Sequence, residues 1–134
     1  MEEKIRKEIL NLHDFFQSWF SGKVEQSESL FGSNVSDHFD PSFEFVMPDG
    51  SHSKKEETIS SIYEAYGFDP SFAIKVDIRS IRALSEEVYL ALYEEHQTEE
   101  GQENSRLSLA VLCCNPSSKN EITWLHCHET PLGS

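Results

Sequence analysis

Near the C-terminus the run Glu-Ile-Thr-Trp-Leu-His-Cys-His-Glu-Thr, residues 121–130, sets two imidazoles two positions apart, His126 and His128, just ahead of Pro131. Strand alternation puts Ile122, Trp124, His126 and His128 on one face and Thr123, Leu125, Cys127 and Glu129 on the other. Two rings aimed into one space suit acid–base work, one taking a proton while the other orients or donates. Hydrogen-bonded histidines on a half-buried sheet face account for the same pair without any reaction. Glu94, His96 and Cys127 could complete a metal set, but Cys127 falls on the opposite face and there is no second tight ligand pair. No metal and no cofactor is therefore expected. Asp49 and His52 flank a Pro48-Asp49-Gly50 turn, and turn formation by itself explains an Asp there.

Five aromatic residues, Phe16, Trp19, Phe43, Phe45 and Tyr63, would line an apolar cavity if a sheet curls over the helix that carries the first two. The same residues also make an ordinary core. Cys113 and Cys114 sit in an apolar strand with no cation nearby in sequence to lower a thiol pKa, and are expected to pack rather than react.

The elements that must position these groups follow from periodicity. Ile5, Ile9, Leu12, Phe16 and Trp19 form one stripe of an amphipathic helix that Gly22 stops. From Lys23 to Asp40 the pattern is weaker and indicates a short helix or two turns, closed by Pro41. Ser42 to Gly50 alternates as a strand and ends in the tight turn. Ser53-Lys54-Lys55-Glu56 has capping-box spacing and opens a helix through Ile59, Ile62, Tyr63 and Tyr66 to Gly67. After Asp69-Pro70 the period changes to two. Four long strands follow: from Phe72 past Ile78, Val88 to His96, Asn104 to Asn115, and Glu121 to Glu129. The link from Glu94 through Glu103 is expected to be a solvated hairpin tip, and residues 116–120 a loop. Helices first and an antiparallel meander afterwards indicate an α+β fold, helices on one face of the sheet.

At 134 residues the chain predicts a single domain over 1–134. With 24 Asp plus Glu against 11 Lys plus Arg, the net charge of −13 repels phosphate backbones and anionic lipid, so neither nucleic acid nor membrane is expected as a partner. No apolar run approaches the roughly 20 residues of a membrane span, and the first segment is charged where a signal peptide would be apolar. Three cysteines, two of them adjacent, do not make a disulfide framework; a reducing, cytoplasmic setting is expected.

The order helix, helix, strand, Phe-Glu-Phe-Val-Met-Pro-Asp-Gly, Ser-Lys-Lys-Glu-Glu helix and four long strands resembles the SnoaL-like group of the nuclear transport factor 2-like superfamily over essentially the whole chain. The last strand, Ile122 to Thr130, is also similar to that of the association domain of the calmodulin-dependent kinase. The resemblance implies a cone: a bent sheet wrapped around a long helix, a cavity open at the wide end, and frequent dimerisation through the sheet's outer face. It also implies a precedent for Asp49 as a general base. The steroid-isomerase branch places a Tyr on the first helix, where this chain has Phe15, Phe16 and Trp19. Members of the superfamily include isomerases, dehydratases, cyclases, binding proteins and adaptors, so the fold alone does not select a function.

The sequence therefore predicts a cone-fold protein that binds a small apolar ligand or a partner without a complete catalytic set. The alternative is a cofactor-free lyase or isomerase using His126 or His128 with an acidic partner such as Asp49. A homodimer through the sheet is expected, since apolar residues such as Leu109 and Val111 leave neither face of their strand made for water. The acidic surface would suit a basic protein partner. The hollow is expected beside His126, His128 and Trp19.

Overall fold

A computed structural model describes residues 1–116 and 121–133. Helix α1 (Glu2–Phe20) buries Ile5, Ile9, Leu12 and Trp19 of the predicted stripe together with His13, while Phe16 is half-buried. It is followed by α2 (Glu28–Asn34), whose Ser27 hydroxyl accepts the Leu30 N–H, and by a 3-10 turn over Ser36–His38. Strand β1 (Phe39–Val46), the short β2 (His52–Lys54) and α3 (Lys55–Glu64) come next. The meander β3 (Ala73–Ala83), β4 (Val88–Glu99), β5 (Gln102–Cys114) and β6 (Ile122–Pro131) completes the chain. The α+β fold with helices on one face is as expected.

The strands form one six-stranded sheet in the order β2-β1-β6-β5-β4-β3. Every pair is antiparallel except β1 with β6, which is parallel. The last strand therefore lies inside the sheet, between β1 and β5. Bulges bend it, since an extra residue on one strand kinks the pair and raises the local twist. They fall between Phe39 and Glu44 in β1, at Arg79 in β3 and at Leu125 in β6. Helix α1 lies in the resulting concavity, its buried stripe in the core with Tyr93, Ala110, Leu112 and Trp124.

Two local expectations are corrected. The link from Glu94 to Glu103 does hold an exposed hairpin tip, but a shorter one than expected: β4 and β5 run through most of it and turn on Glu100 and Gly101, both at positive φ (52° and 80°), the conformation that matches a tight hairpin to strand twist. Ser53 is not a helix cap; it lies in β2 and its hydroxyl meets Thr58 Oγ1 at 2.7 Å, while Lys54 precedes the helix and offers its N–H to Glu57 at 3.5 Å. The predicted loop at 116–120 lies, beyond Pro116, outside the described residues.

The two helix ends that frame the cone are fastened together at Gly22 and Gly67. Gly67 N–H donates to Trp19 O at 2.9 Å, both glycines have positive φ (70° and 64°), and a Cβ on Gly22 would stand 3.3 Å from the Gly67 Cα. Glycine is required here for conformation and for close approach alike.

Candidate functional site

The bulge at Leu125 decides which side chains of β6 enter the cone. Val111 pairs with His126 but Leu112 pairs with Trp124, so Leu125 is the extra residue and the alternation changes phase there. Trp124, Cys127 and Glu129 are buried on the concave side, whereas His126 is half-buried and His128 exposed. Their rings stand 6.2 Å apart on the outer face, beside Glu44 and Val46 of β1. The expected hollow beside His126 and His128 is thus corrected: a hollow exists, but on the other side of the strand.

That hollow is a cavity of about 260 Å³ between α1 and the concave sheet. Phe16 and Phe20 of α1 and Phe39, Phe43, Phe45 and Met47 around β1 make its walls, with Thr58, Ser61 and Ile62 of α3 at one side. Three of the five predicted aromatics, Phe16, Phe43 and Phe45, do line it. Trp19 does not: it is fully buried, packed on Phe31, Tyr63 and Tyr66, and donates its indole N–H to Ile62 O at 3.1 Å. Tyr63 faces a separate shallow surface hollow with Phe31 and Ile59. Asp49 stays in its turn, exposed, accepting hydrogen bonds from Ser51 N–H and Oγ that hold its carboxyl below the usual range.

The polar floor of the cavity was not foreseen. His13 projects from α1 with Nδ1 2.7 Å from Ile9 O and Nε2 3.0 Å from Glu95 Oε1. The carbonyl accepts only, so Nδ1 carries a hydrogen; the carboxylate then shares a proton with Nε2. Burial opposes a charge on this ring, but the adjacent Glu95 carboxylate outweighs it and the His13 pKa is raised. Burial likewise opposes the Glu95 charge; His13 beside it and the Gln97 amide reverse that, and its pKa is lowered. Both directions describe an ion pair. Beside it, Arg106 Nη1 donates to Glu129 Oε1 at 2.9 Å and Ser108 Oγ to Glu129 Oε2 at 3.3 Å. Burial, and then Glu95, nevertheless push the Glu129 pKa up. Burial also lifts the Tyr93 phenol and the Cys127 thiol well above their ordinary values, so both keep their protons.

A signal for these residues is present in the sequence. His13 lies four residues after Ile9 and three before Phe16, within the apolar stripe, and Glu95 and Gln97 continue the inward alternation of Ala91 and Tyr93. A charged residue at an apolar phase of a regular element is the pattern to look for. Two buried carboxylates, an imidazole and a guanidinium below aromatic walls can hold a polar atom of an apolar molecule and can exchange a proton with it.

The sequence profile described as sucrose-6-phosphate phosphohydrolase C-terminal matches residues 5–133. No functionally curated relative matches the chain. Among solved structures, an NTF-2 like protein of unknown function from Pseudomonas aeruginosa is 24% identical with a TM-score of 0.85, over 96% of this chain and 98% of that one. A ketosteroid isomerase-like protein from Erwinia carotovora atroseptica is 7% identical with a TM-score of 0.68, over 97% and 95%. A putative calcium/calmodulin-dependent protein kinase type II association domain from Thiobacillus denitrificans is 10% identical with a TM-score of 0.68, over 96% and 94%. These likenesses establish the nuclear transport factor 2-like cone and nothing further about function.

Proposed function

The chain belongs to the sucrose-6-phosphate phosphohydrolase C-terminal family, and within that family we propose that it is a small-ligand-binding cone whose cavity takes an apolar molecule over an ionic floor. The observation that carries this reading is the cavity itself: aromatic walls above charges that are already paired, His13 with Glu95 and Arg106 with Glu129. Phosphohydrolysis, the reaction in the family's name, finds little support in such walls, because a phosphoryl group needs surplus positive charge. The finer SnoaL-like grouping rests on Phe43 to Gly50 and the helix after it.

The test is to titrate the protein with small apolar compounds and follow its amide resonances. Shifts confined to α1, β1 and the concave strands, around Phe16, Phe43 and Tyr93, are expected; a series in which no compound moves these signals overturns the reading.

A catalytic version is favoured by one observation, the proton held between His13 and Glu95 where water is scarce. It keeps the predicted pairing of a cavity histidine with an acid but moves the roles from His126, His128 and Asp49 to His13 and Glu95. His13→Gln would then abolish turnover and leave binding intact; equal turnover in both proteins excludes it.

The outer face supports self-association. Sheet register lines up Val46, His128, Leu109 and Leu92 in one row and Glu44, His126, Val111 and Leu90 in the next. Leu109 is 37% exposed, at the middle of an apolar patch that a second copy would cover. The net charge of −13 would additionally favour a basic protein partner elsewhere on the surface, and free cysteines suit a cytoplasmic setting.

A further inference from the structure

Two donors on the cavity floor lack a good acceptor. Among the described residues, Arg106 Nε is a buried side-chain nitrogen with no hydrogen-bond partner, although Nη1 and Nη2 of the same guanidinium are engaged by Glu129 and Asn104. The Tyr93 hydroxyl, buried, meets the Cys127 thiol at 3.9 Å, a long contact to a soft atom that leaves its hydrogen open to a better acceptor. Arg106, Tyr93 and Cys127 all line the cavity. A buried donor without an acceptor carries an unrecovered desolvation cost, and an oxygen arriving in the cavity would recover much of it.

The charge of the occupant follows from the same floor. His13 pairs with Glu95 and Arg106 with Glu129, so the four ionisable groups cancel two by two. An anionic ligand would bring an uncompensated charge among Phe16, Phe20 and Phe43, and a cationic one would do the same, at a large desolvation cost. The volume of about 260 Å³ is below the roughly 300–1,000 Å³ of pockets for drug-sized ligands, so the occupant is small.

We infer that the ligand is a compact, uncharged, largely apolar molecule bearing a carbonyl-type oxygen, which is held by Arg106 Nε–H and the Tyr93 hydroxyl. This deepens the binding reading above and rests on it.

Three probes of nearly one size separate the possibilities: ethylbenzene, acetophenone and benzoate. Titrations of the wild-type protein, followed through backbone amides and the arginine Nε–H resonances, are expected to show acetophenone bound roughly tenfold more tightly than ethylbenzene, the worth of one net hydrogen bond. Benzoate is expected to be weaker than the ketone. The Arg106 Nε–H signal should move with acetophenone and stay in place with ethylbenzene. Arg106→Lys keeps a cation facing Glu129 but removes the planar fork, and should erase the ketone's advantage while ethylbenzene still binds. Should that variant fold poorly, the wild-type Nε–H signal decides by itself. Equal binding of ketone and hydrocarbon, or tightest binding of benzoate, overturns the assignment of ligand class and leaves the cavity reading standing. Binding of none of the three at the cavity residues sinks both.

Discussion

His13 and His38 share one arrangement: one ring nitrogen on a backbone carbonyl, the other on a carboxylate. For His13 these are Ile9 O and Glu95; for His38 they are Ser33 O at 3.0 Å and Glu8 at 2.8 Å, the same Glu8 that accepts the Trp124 indole N–H at 2.9 Å. A doubly protonated ring satisfies both contacts, and the His38 pKa is raised chiefly by its hydrogen bond from the ring to Glu8. A histidine whose folded pKa is raised stabilises the fold fully below its unfolded value of about 6.5 and loses that contribution as pH climbs through the folded value. Glu129, also raised, acts in the same sense from about 4.3 upward. Denaturant midpoints measured from pH 5 to pH 9 should therefore fall towards the alkaline end, and His38→Gln should flatten the slope; a profile flat or rising above pH 6 contradicts the pairing. Removing one partner of the buried pair is costly. Glu95→Ala is expected to lose about 3–5 kcal/mol of unfolding free energy by leaving the imidazolium alone, while His13→Phe combined with Glu95→Leu should lose clearly less. Urea titrations of the single and double variants make the comparison.

At the scale of elements, one residue of β6 governs the site. With Leu125 as an extra residue, Trp124 and Cys127 both face inward although three positions separate them. Were Leu125 instead to take a regular, paired place in the ladder, strict alternation after Trp124 would turn His126 and His128 into the cone and push Cys127 and Glu129 out, stranding Arg106 and Ser108 without their acceptor. Deleting Leu125 removes only the extra residue and leaves Cys127 and Glu129 in their inward phase, so cooperative thermal unfolding, followed by near-ultraviolet circular dichroism, is expected to survive. A deletion variant that loses its cooperative melt would show that Leu125 does more than set the phase of the strand. Gly22 and Gly67 bear on the same cone from its other end, because their close approach sets where α1 stops relative to α3.

Over the whole molecule, the bent sheet has two unlike faces. The concave one is closed by α1 and holds paired charges; the convex one carries the Leu90, Leu92, Leu109 and Val111 patch with His126 and His128 beside it. If copies associate through the convex face, Leu109→Glu places a carboxylate in the middle of each contact and should give monomers in sedimentation velocity. The cavity would be unaffected, since Leu109 points away from it while its neighbours Ser108 and Ala110 are fully buried. Wild-type protein that sediments as a monomer at micromolar concentration would remove this face as an interface.

Local spacing alone was enough to define α1 with its buried stripe, the Met47–Gly50 turn, the four strands of the meander and the α+β class, because each rests on a period or a turn chemistry contained within a few consecutive residues. Of the five aromatics it offered for a cavity, Phe16, Phe43 and Phe45 line one, whereas Trp19 and Tyr63 do not. The short β2, the parallel seating of β6 against β1, the inward phase of Cys127 and Glu129 and the pairing of His13 with Glu95 were decided by the tertiary structure. Each of these depends on which distant strand supplies the partner. A bulge cannot be read from one strand's own alternation, since it exists only relative to its neighbour, and a charge within an apolar phase becomes intelligible only when its counter-ion, 82 residues away, closes over it.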